Sequence, residues 1–242
     1  MTNTKIEDSG AIRRLLLKEM KDGAFSKSKR LPRETVLAAQ FGISRTQLRD
    51  ILAQLEREGF ITRRHGVGTL INHHVLKIRN RMDIETEFLD IIRQSGYEPG
   101  VSDIRVYEEH ADLHVAEKLQ IPVGTEILRI SRICTADGTP AIYCEDVLEK
   151  RLLNGSYETK ALEEPIFYFL KKYCGVTAYM DLTQLHAVLA KKEVAAALQI
   201  PDGTPLLNME EVDYDMEGAV VLYSSQYFVD QIFEQTVLRK KL

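Results

Sequence analysis

The stretch over residues 44–55 constrains this chain more than any other. Ser44 stands just ahead of an apolar run and Gln47 follows three residues later, the arrangement of a capping box at a helix start. Leu48, Ile51, Leu52 and Leu55 then recur at i, i+3, i+4 and i+7, so the spacing predicts one buried helical stripe. Arg45 and Arg49, four apart, share another face. A shorter apolar pattern of Val36, Leu37 and Phe41 comes before, and Gly42 falls where the chain must turn sharply between two helices. Residues 60–64 and 70–71 read as short strands joined through His65-Gly66-Val67-Gly68. The expected unit is a helix-turn-helix followed by a β-hairpin wing.

A recognition helix reads base edges mainly with its N-terminal residues, here Ser44, Arg45, Thr46, Gln47 and Arg49. Arginine can bond guanine in a bidentate way, glutamine can bond adenine, and the threonine methyl can touch thymine. The competing readings are plain. Ser44 is a structural cap whatever the function, Gln47 either completes that cap or reads a base, and exposed helix arginines commonly do no more than solvate a face. His65 suits a phosphate contact or water, and Gly66 and Gly68 would serve any tight hairpin.

These residues resemble the GntR family of bacterial transcription regulators over roughly residues 8–72. The resemblance rests on Leu31-Pro32-Arg33-Glu34, on Ser44-Arg45-Thr46-Gln47-Leu48-Arg49 and on Gly66-Val67-Gly68-Thr69. It implies double-stranded operator DNA as partner, with Arg45, Arg49 and Gly66 on the DNA and Thr46 and Gln47 beside them. Arg33 stands where that family usually has a capping serine, which weakens the cap and adds a candidate phosphate contact. Gln47 replaces the usual threonine, so the operator preference is expected to differ.

Charge divides the same way as the motifs. The net charge is −4, but residues 1–72 hold 14 Lys and Arg against 8 Asp and Glu, while the remainder holds 18 against 28. The basic part suits phosphate contacts and the acidic part would be a poor nucleic-acid surface. Two domains are expected at 242 residues. The start of the chain is polar and no apolar run reaches membrane length, so a soluble, cytoplasmic protein without membrane association is expected. Cys134, Cys144 and Cys174 match no metal-ligand spacing. They read as reduced, buried residues, with Cys134 and Cys144 able to face each other across a hairpin. No metal or cofactor is expected.

After residue 72 the spacing predicts a linker and then a helix over residues 82–94, carrying Ile84, Phe88, Ile91 and Ile92. Beyond it the chain repeats at an offset of 79: Leu119-Gln120-Ile121-Pro122 recurs as Leu198-Gln199-Ile200-Pro201, each followed two residues on by Gly-Thr. Each copy reads as helix, turn and a strand hairpin, with strands over residues 126–136, 141–148, 206–215 and 219–229. A strand over 101–108 precedes them; a helix over 163–174 and a strand over 178–189 lie between. One antiparallel α+β domain with internal pseudo-symmetry is expected.

This order, with Asp137-Gly138-Thr139-Pro140 after a strand ending near Arg132, resembles the UTRA effector-binding domain of the HutC-like GntR branch over roughly residues 97–240. The resemblance implies a chorismate-lyase-like fold, a small metabolite bound between sheet and helices, and a homodimeric, ligand-controlled repressor. The organisation is then residues 1–72 for DNA, 73–96 as linker and connecting helix, and 97–242 for the effector. The resemblance suggests Arg132 as an anchor and Glu145 as an acceptor in the effector pocket, with Tyr143, Tyr223 and Ser225 on nearby strand positions. The competing reading pairs Arg132 with Glu211, its counterpart one repeat on. Pro165 and Phe167 occupy positions where phosphosugar-responsive members carry hydroxyls, which favours a non-phosphorylated effector and makes Phe167 either a pocket wall or a core residue.

Two other classes stand beside the regulator. An enzyme on the chorismate-lyase-like fold would use Arg132 and Glu145, but no nucleophile-base pair or phosphate-cradling glycine loop accompanies them. An interaction module without ligand control would bind no metabolite.

Overall fold

A computed structural model describes residues 9–230 and 232–240. They form two compact units, divided after Glu85, with the segment from Thr236 onward belonging to the first.

In the first unit, α1 (Ser9–Lys21), α2 (Glu34–Phe41) and α3 (Arg45–Arg57) are followed by β1 (Ile61–Arg64) and β2 (Gly68–Ile71). The predicted stripe is the core: Leu48, Ile51, Leu52 and Leu55 are all buried, packed with Ile12, Leu16 and Met20 of α1 and Leu37 of α2. Ser44 Oγ caps α3, accepting from the Gln47 N–H at 3.1 Å. At α2 the Arg33 side chain supplies no cap. Gly42 adopts φ 66°, a left-handed conformation that closes α2 and lets its N–H reach the Ala39 carbonyl. Val36 departs from the expected pattern, being 56% exposed. β1 and β2 pair antiparallel from Ile61 opposite Ile71 to Arg64 opposite Gly68.

A short turn of helix, α4 (His73–Leu76), and a two-residue strand, β3 (Asn80–Arg81), come next. The helix expected over residues 82–94 is shorter, α5 (Phe88–Gln94). Asp83 is taken up by a turn: its carboxylate accepts from Arg81 and from the Leu238 N–H, and helical hydrogen bonding begins only at the Glu87 carbonyl. Lys240 Nζ donates to the Arg57 carbonyl, so the chain's last described residues stay with the first unit.

The second unit is built on β4 (Pro99–His110), α6 (Leu113–Leu119), β5 (Glu126–Ala136), β6 (Thr139–Glu149), α7 (Ile166–Phe169), β7 (Met180–Leu189), α8 (Lys192–Leu198), β8 (Pro205–Tyr214) and β9 (Val220–Val229). A last two-residue strand, β10 (Gln235–Thr236), pairs with β3. The main sheet is six-stranded and antiparallel in the order β4-β5-β6-β9-β8-β7. The internal repeat is real at the level of single bonds. Gln120 and Gln199 both end their helices at φ near 57°, and Thr125 and Thr204 both donate to a proline carbonyl at 2.7 Å. Gly124 and Gly203 turn at φ 85° and 78° and donate to Ala111 and Ala190 respectively.

The expected single helix over 163–174 is three short pieces: a 3-10 segment, Thr159–Glu163, then α7, then one wide turn, Leu170–Cys174. Pro165 is the cause. It lacks an N–H and pushes Glu164 into extended backbone, so the first piece ends there and α7 starts afresh. The 159–174 segment packs Leu162, Ile166, Phe169 and Leu170 against Leu128, Ile130, Leu148 and Leu222 on one sheet face. On the opposite face α6 packs against Ile127, Val147 and Tyr223, and α8 against Leu206, Tyr143 and Tyr227.

Candidate DNA and effector sites

The DNA-facing candidates lie where α3 begins and where the hairpin turns. Ser44, Arg45, Thr46 and Arg49 are exposed within the first turns of α3. Arg49 is not a free side chain: its Nε donates to Glu34 Oε2 at 2.8 Å, which ties the recognition helix to the first turn of α2. Gln47 is half-buried and its amide donates to Ser9 Oγ at 3.2 Å, a use the sequence did not suggest. Arg33 is exposed beside Val36 at the start of α2. His65 and Gly66 form the exposed hairpin tip, with Gly66 at φ 74°. Sequence reasoning missed Glu34, the partner of Arg49, and Glu56. The latter accepts from both the backbone and the side chain of Arg63 at 2.7 and 2.6 Å and so stiffens the wing.

The effector candidates do not converge. Opposed residues of an antiparallel pair share a face. Arg132 opposes Cys144, Asp146 opposes Ser224, and Ser224 opposes Glu211, which sets these on the face covered by the 159–174 segment. Glu145 opposes Ser131 and Ser225, Tyr143 opposes Tyr227, and Val147 opposes Tyr223, which sets Tyr143, Glu145, Tyr223 and Ser225 on the other face. The expectation of one pocket holding Arg132 together with Glu145 is therefore corrected. The reason is a bulge in β6, where Ala141 is the extra residue opposite Cys134 and Thr135. Counted back from the Asp137-Gly138 turn, a regular hairpin would set Arg132 opposite Tyr143. The extra residue shifts the register by one and turns Tyr143 and Glu145 to the side opposite Arg132.

Arg132 is 4% exposed and sits 3.2 Å from Asp146, itself 1% exposed. Its Nη1 donates to the Leu162 and Glu164 carbonyls at 3.2 and 2.9 Å. Ser224 Oγ donates to Asp146 at 2.7 Å. Glu211 pairs not with Arg132 but with Gln226, which donates at 2.9 Å, and with Thr183 at 3.3 Å. Burial pushes the Glu211 carboxyl up to about 7, with the charges of Asp181 and Asp146 adding to it. Burial likewise raises Glu87, at the start of α5, to about 7, against the pull of Arg132. Within this layer Arg132 Nε, Asp146 Oδ2 and Gln226 Oε1 have no hydrogen-bond partner, although Asp146 Oδ2 meets the Arg132 guanidinium as an ion pair. Cys134 and Cys144 lie beside Arg132, buried, unpaired by any disulfide, their thiols hydrogen-bonded to each other.

The other face carries an open pocket of about 860 Å³, lined among others by Tyr107, Ser131, Tyr143, Glu145 and Glu193. Tyr143 donates to Glu145 at 3.3 Å. Ser225 and Tyr223 lie outside that lining: Ser225 accepts from Asn208 at 3.0 Å, and Tyr223 lies under Lys118 and hydrogen-bonds His114 at 3.1 Å. Phe167 is half-buried against the Leu162–Phe169 cluster, a packing residue. Among the described residues no group of three acidic, histidine or cysteine side chains is placed to hold a metal, and no helix is long and apolar enough to cross a membrane.

Comparison with known proteins decides the family. Residues 9–71 match the model of the bacterial regulatory proteins of the gntR family, and residues 94–234 match the UTRA domain. The chain is a GntR-family regulator with a UTRA domain. Its relatives include NagR, a transcriptional repressor of Bacillus subtilis, 24% identical with 87% of this chain and 85% of NagR covered. The histidine utilization repressor of Pseudomonas putida is 24% identical, covering 81% and 77%. Among solved structures, YydK of Bacillus subtilis superposes with a TM-score of 0.78 at 19% identity over 96% of this chain and 99% of its own. PhnF of Mycobacterium smegmatis reaches 0.60 at 20% identity, covering 96% and 98%. These structures support the two-part fold. The named relatives are transcriptional regulators, which leaves the lyase-like alternative unfavoured.

Proposed function

We propose that this GntR/UTRA regulator is a cytoplasmic repressor that binds its operator as a homodimer. A small, non-phosphorylated effector would seat at the buried Arg132 layer. The head over residues 1–72 would contact DNA through Arg33, Ser44, Arg45, Thr46, Gln47, Arg49, His65 and Gly66. Residues 73–96 would connect it to the effector domain over 97–242.

The observation that carries the effector reading is that Arg132 Nε and Gln226 Oε1 are buried with neither a hydrogen bond nor an ion pair, while Asp146 Oδ2 beside them has only its ion pair with Arg132. Each such group costs about 1–3 kcal/mol unless something satisfies it. A ligand with one acceptor and one donor would do so. Asp146 pairs with Arg132 and Glu87 also lies within reach of its charge, so the single positive charge is already matched and a phosphate dianion would find little net attraction there. An uncharged or amine-bearing metabolite fits better.

Thermal-shift screening of the full chain against metabolites tests this, since a ligand bound only by the folded state raises its stability by mass action. A hit should also weaken binding to DNA from the protein's own promoter region. Gln226→Leu should abolish the shift and Glu145→Ala should leave it intact. The opposite pattern would move the effector to the open Tyr143–Glu145 pocket, the second reading, which that pocket's size favours. Turnover of chorismate or a related compound would replace both readings with the enzyme.

A further inference from the structure

The internal repeat relates two clefts, one under α6 and one under α8, and fills only the first. Residues of α6 and β5 recur in α8 and β8 at an offset of 79. Arg132 opposes Cys144 and its counterpart Glu211 opposes Ser224, so β6 recurs in β9 at an offset of 80. The bulge is shared too, with Ala141 the extra residue in one hairpin and Val221 in the other. Each position in one cleft therefore has a defined counterpart in the other.

Under α6, Lys118 fills the cleft. Its Nζ pairs with Glu210 at 2.7 Å and lies 5.4 Å from the centre of the Tyr223 ring, which is 5% exposed beneath it. Under α8 the counterparts are Ala197 for Lys118, Ser131 for Glu210 and Tyr143 for Tyr223. Ser225 opposes Glu210, and its counterpart Glu145 opposes Ser131. Each cleft thus carries one tyrosine, one serine and one glutamate on the sheet, with the carboxylate moved to the neighbouring strand. The ammonium is present in the first cleft alone. Where α6 has His114, α8 has Glu193, a second carboxylate.

Exchanging lysine for alanine leaves space and unmatched charge. Ser131, Tyr143, Glu145, Glu193 and Ala197 all line the open pocket of about 860 Å³. The arginines of that pocket are committed, Arg105 to Asp103 and Arg129 to Glu109. Among the described residues Glu145 and Glu193 form no ion pair.

We propose that the cleft under α8 binds a small organic ammonium, seated over Tyr143 as Lys118 is seated over Tyr223 in the other half. An ammonium there gains a cation–π contact with the ring and charge-assisted hydrogen bonds to the carboxylates. The pocket is far larger than a lysine side chain, so it admits a metabolite-sized body behind the charged head. The site goes beyond the effector reading, because it lies on the sheet face opposite Arg132 and shares no residue with that layer.

The test uses n-butylammonium, which is the lysine side chain detached from its backbone, on the full chain against sodium chloride of equal concentration. At roughly ten times its dissociation constant it should raise the melting temperature by about 3–6 °C. n-Butanol, of like shape without the charge, should not raise it. Ala197→Lys should supply a tethered ammonium over Tyr143 and abolish the shift, and Glu145→Gln should weaken binding about 10-fold. Gln226→Leu, on the other face, should leave the shift in place. No shift in the unaltered protein, or a shift kept by both Ala197→Lys and Glu145→Gln, overturns the site. A shift lost in Gln226→Leu and kept in Glu145→Gln puts the amine in the Arg132 layer, which overturns this site and leaves the effector reading standing.

Discussion

Replacing Asp146 with alanine leaves the Arg132 guanidinium charged and enclosed, without the carboxylate that faces it at 3.2 Å. Breaking a buried pair by removing one partner costs about 3–5 kcal/mol. Arg132 keeps the Leu162 and Glu164 carbonyls, which pulls the expectation to the low end, and Ser224 loses the acceptor of its 2.7 Å bond, which adds roughly 1 kcal/mol. A loss of about 3–4 kcal/mol follows for Asp146→Ala. Removing both charges, with Arg132→Met and Asp146→Leu together, should cost less than Asp146→Ala alone, because no charge is then stranded. Urea unfolding followed by far-UV circular dichroism measures both. The double variant, being folded, should also lose the effector-induced thermal shift, which separates the binding role of the layer from its structural one. If Asp146→Ala unfolds within about 1 kcal/mol of the unaltered protein, the charge is not enclosed as described and the argument fails.

Glu211 gives a pH signature. Its carboxyl ionises near 4.5 when the chain is unfolded and near 7 when folded, so between those values the folded state alone holds the proton. Stability is therefore greatest at the acid side of the window and falls as pH rises through 7, by about 3 kcal/mol for the full shift. Melting temperatures from pH 5 to 8 should show that decline together with a like one from Glu87, also raised to about 7, so Glu211→Gln should remove about half of it; an undiminished decline in the variant would rule Glu211 out as a source. In the head, Ser44→Ala should cost about 1 kcal/mol through loss of the α3 cap. Unchanged melting of the first unit would show that the Ser44–Gln47 bond contributes nothing.

Much of the fold was legible because it is local. The 3.6-residue period of Leu48, Ile51, Leu52 and Leu55 marks a helix and its buried side without reference to anything distant. The strand over residues 126–136 was bounded to the residue, since Gly-Thr and Asp-Gly turns flank it and turns are encoded by the residues that form them. What failed was non-local or one step removed. Helix α1 supplies Ile12, Leu16 and Met20 to the head core, a period the sequence carried but the reading passed over. The helix expected from residue 82 starts only at Phe88, because Asp83 is claimed by Arg81 and by Leu238, 155 residues further along.

By itself, the sequence determined that this chain carries a winged helix-turn-helix head and a duplicated antiparallel domain. Periodicity, capping and turn chemistry act over a few residues, so their signals lie in the order of residues. Tertiary structure alone decided which side chains share a site. One extra residue on β6, Ala141 opposite Cys134–Thr135, reverses the side on which Tyr143 and Glu145 lie and separates them from Arg132, which faces Asp146 instead. A two-residue side-chain period makes sheet faces that sensitive to a single insertion, and where a bulge falls depends on the strands packed around it.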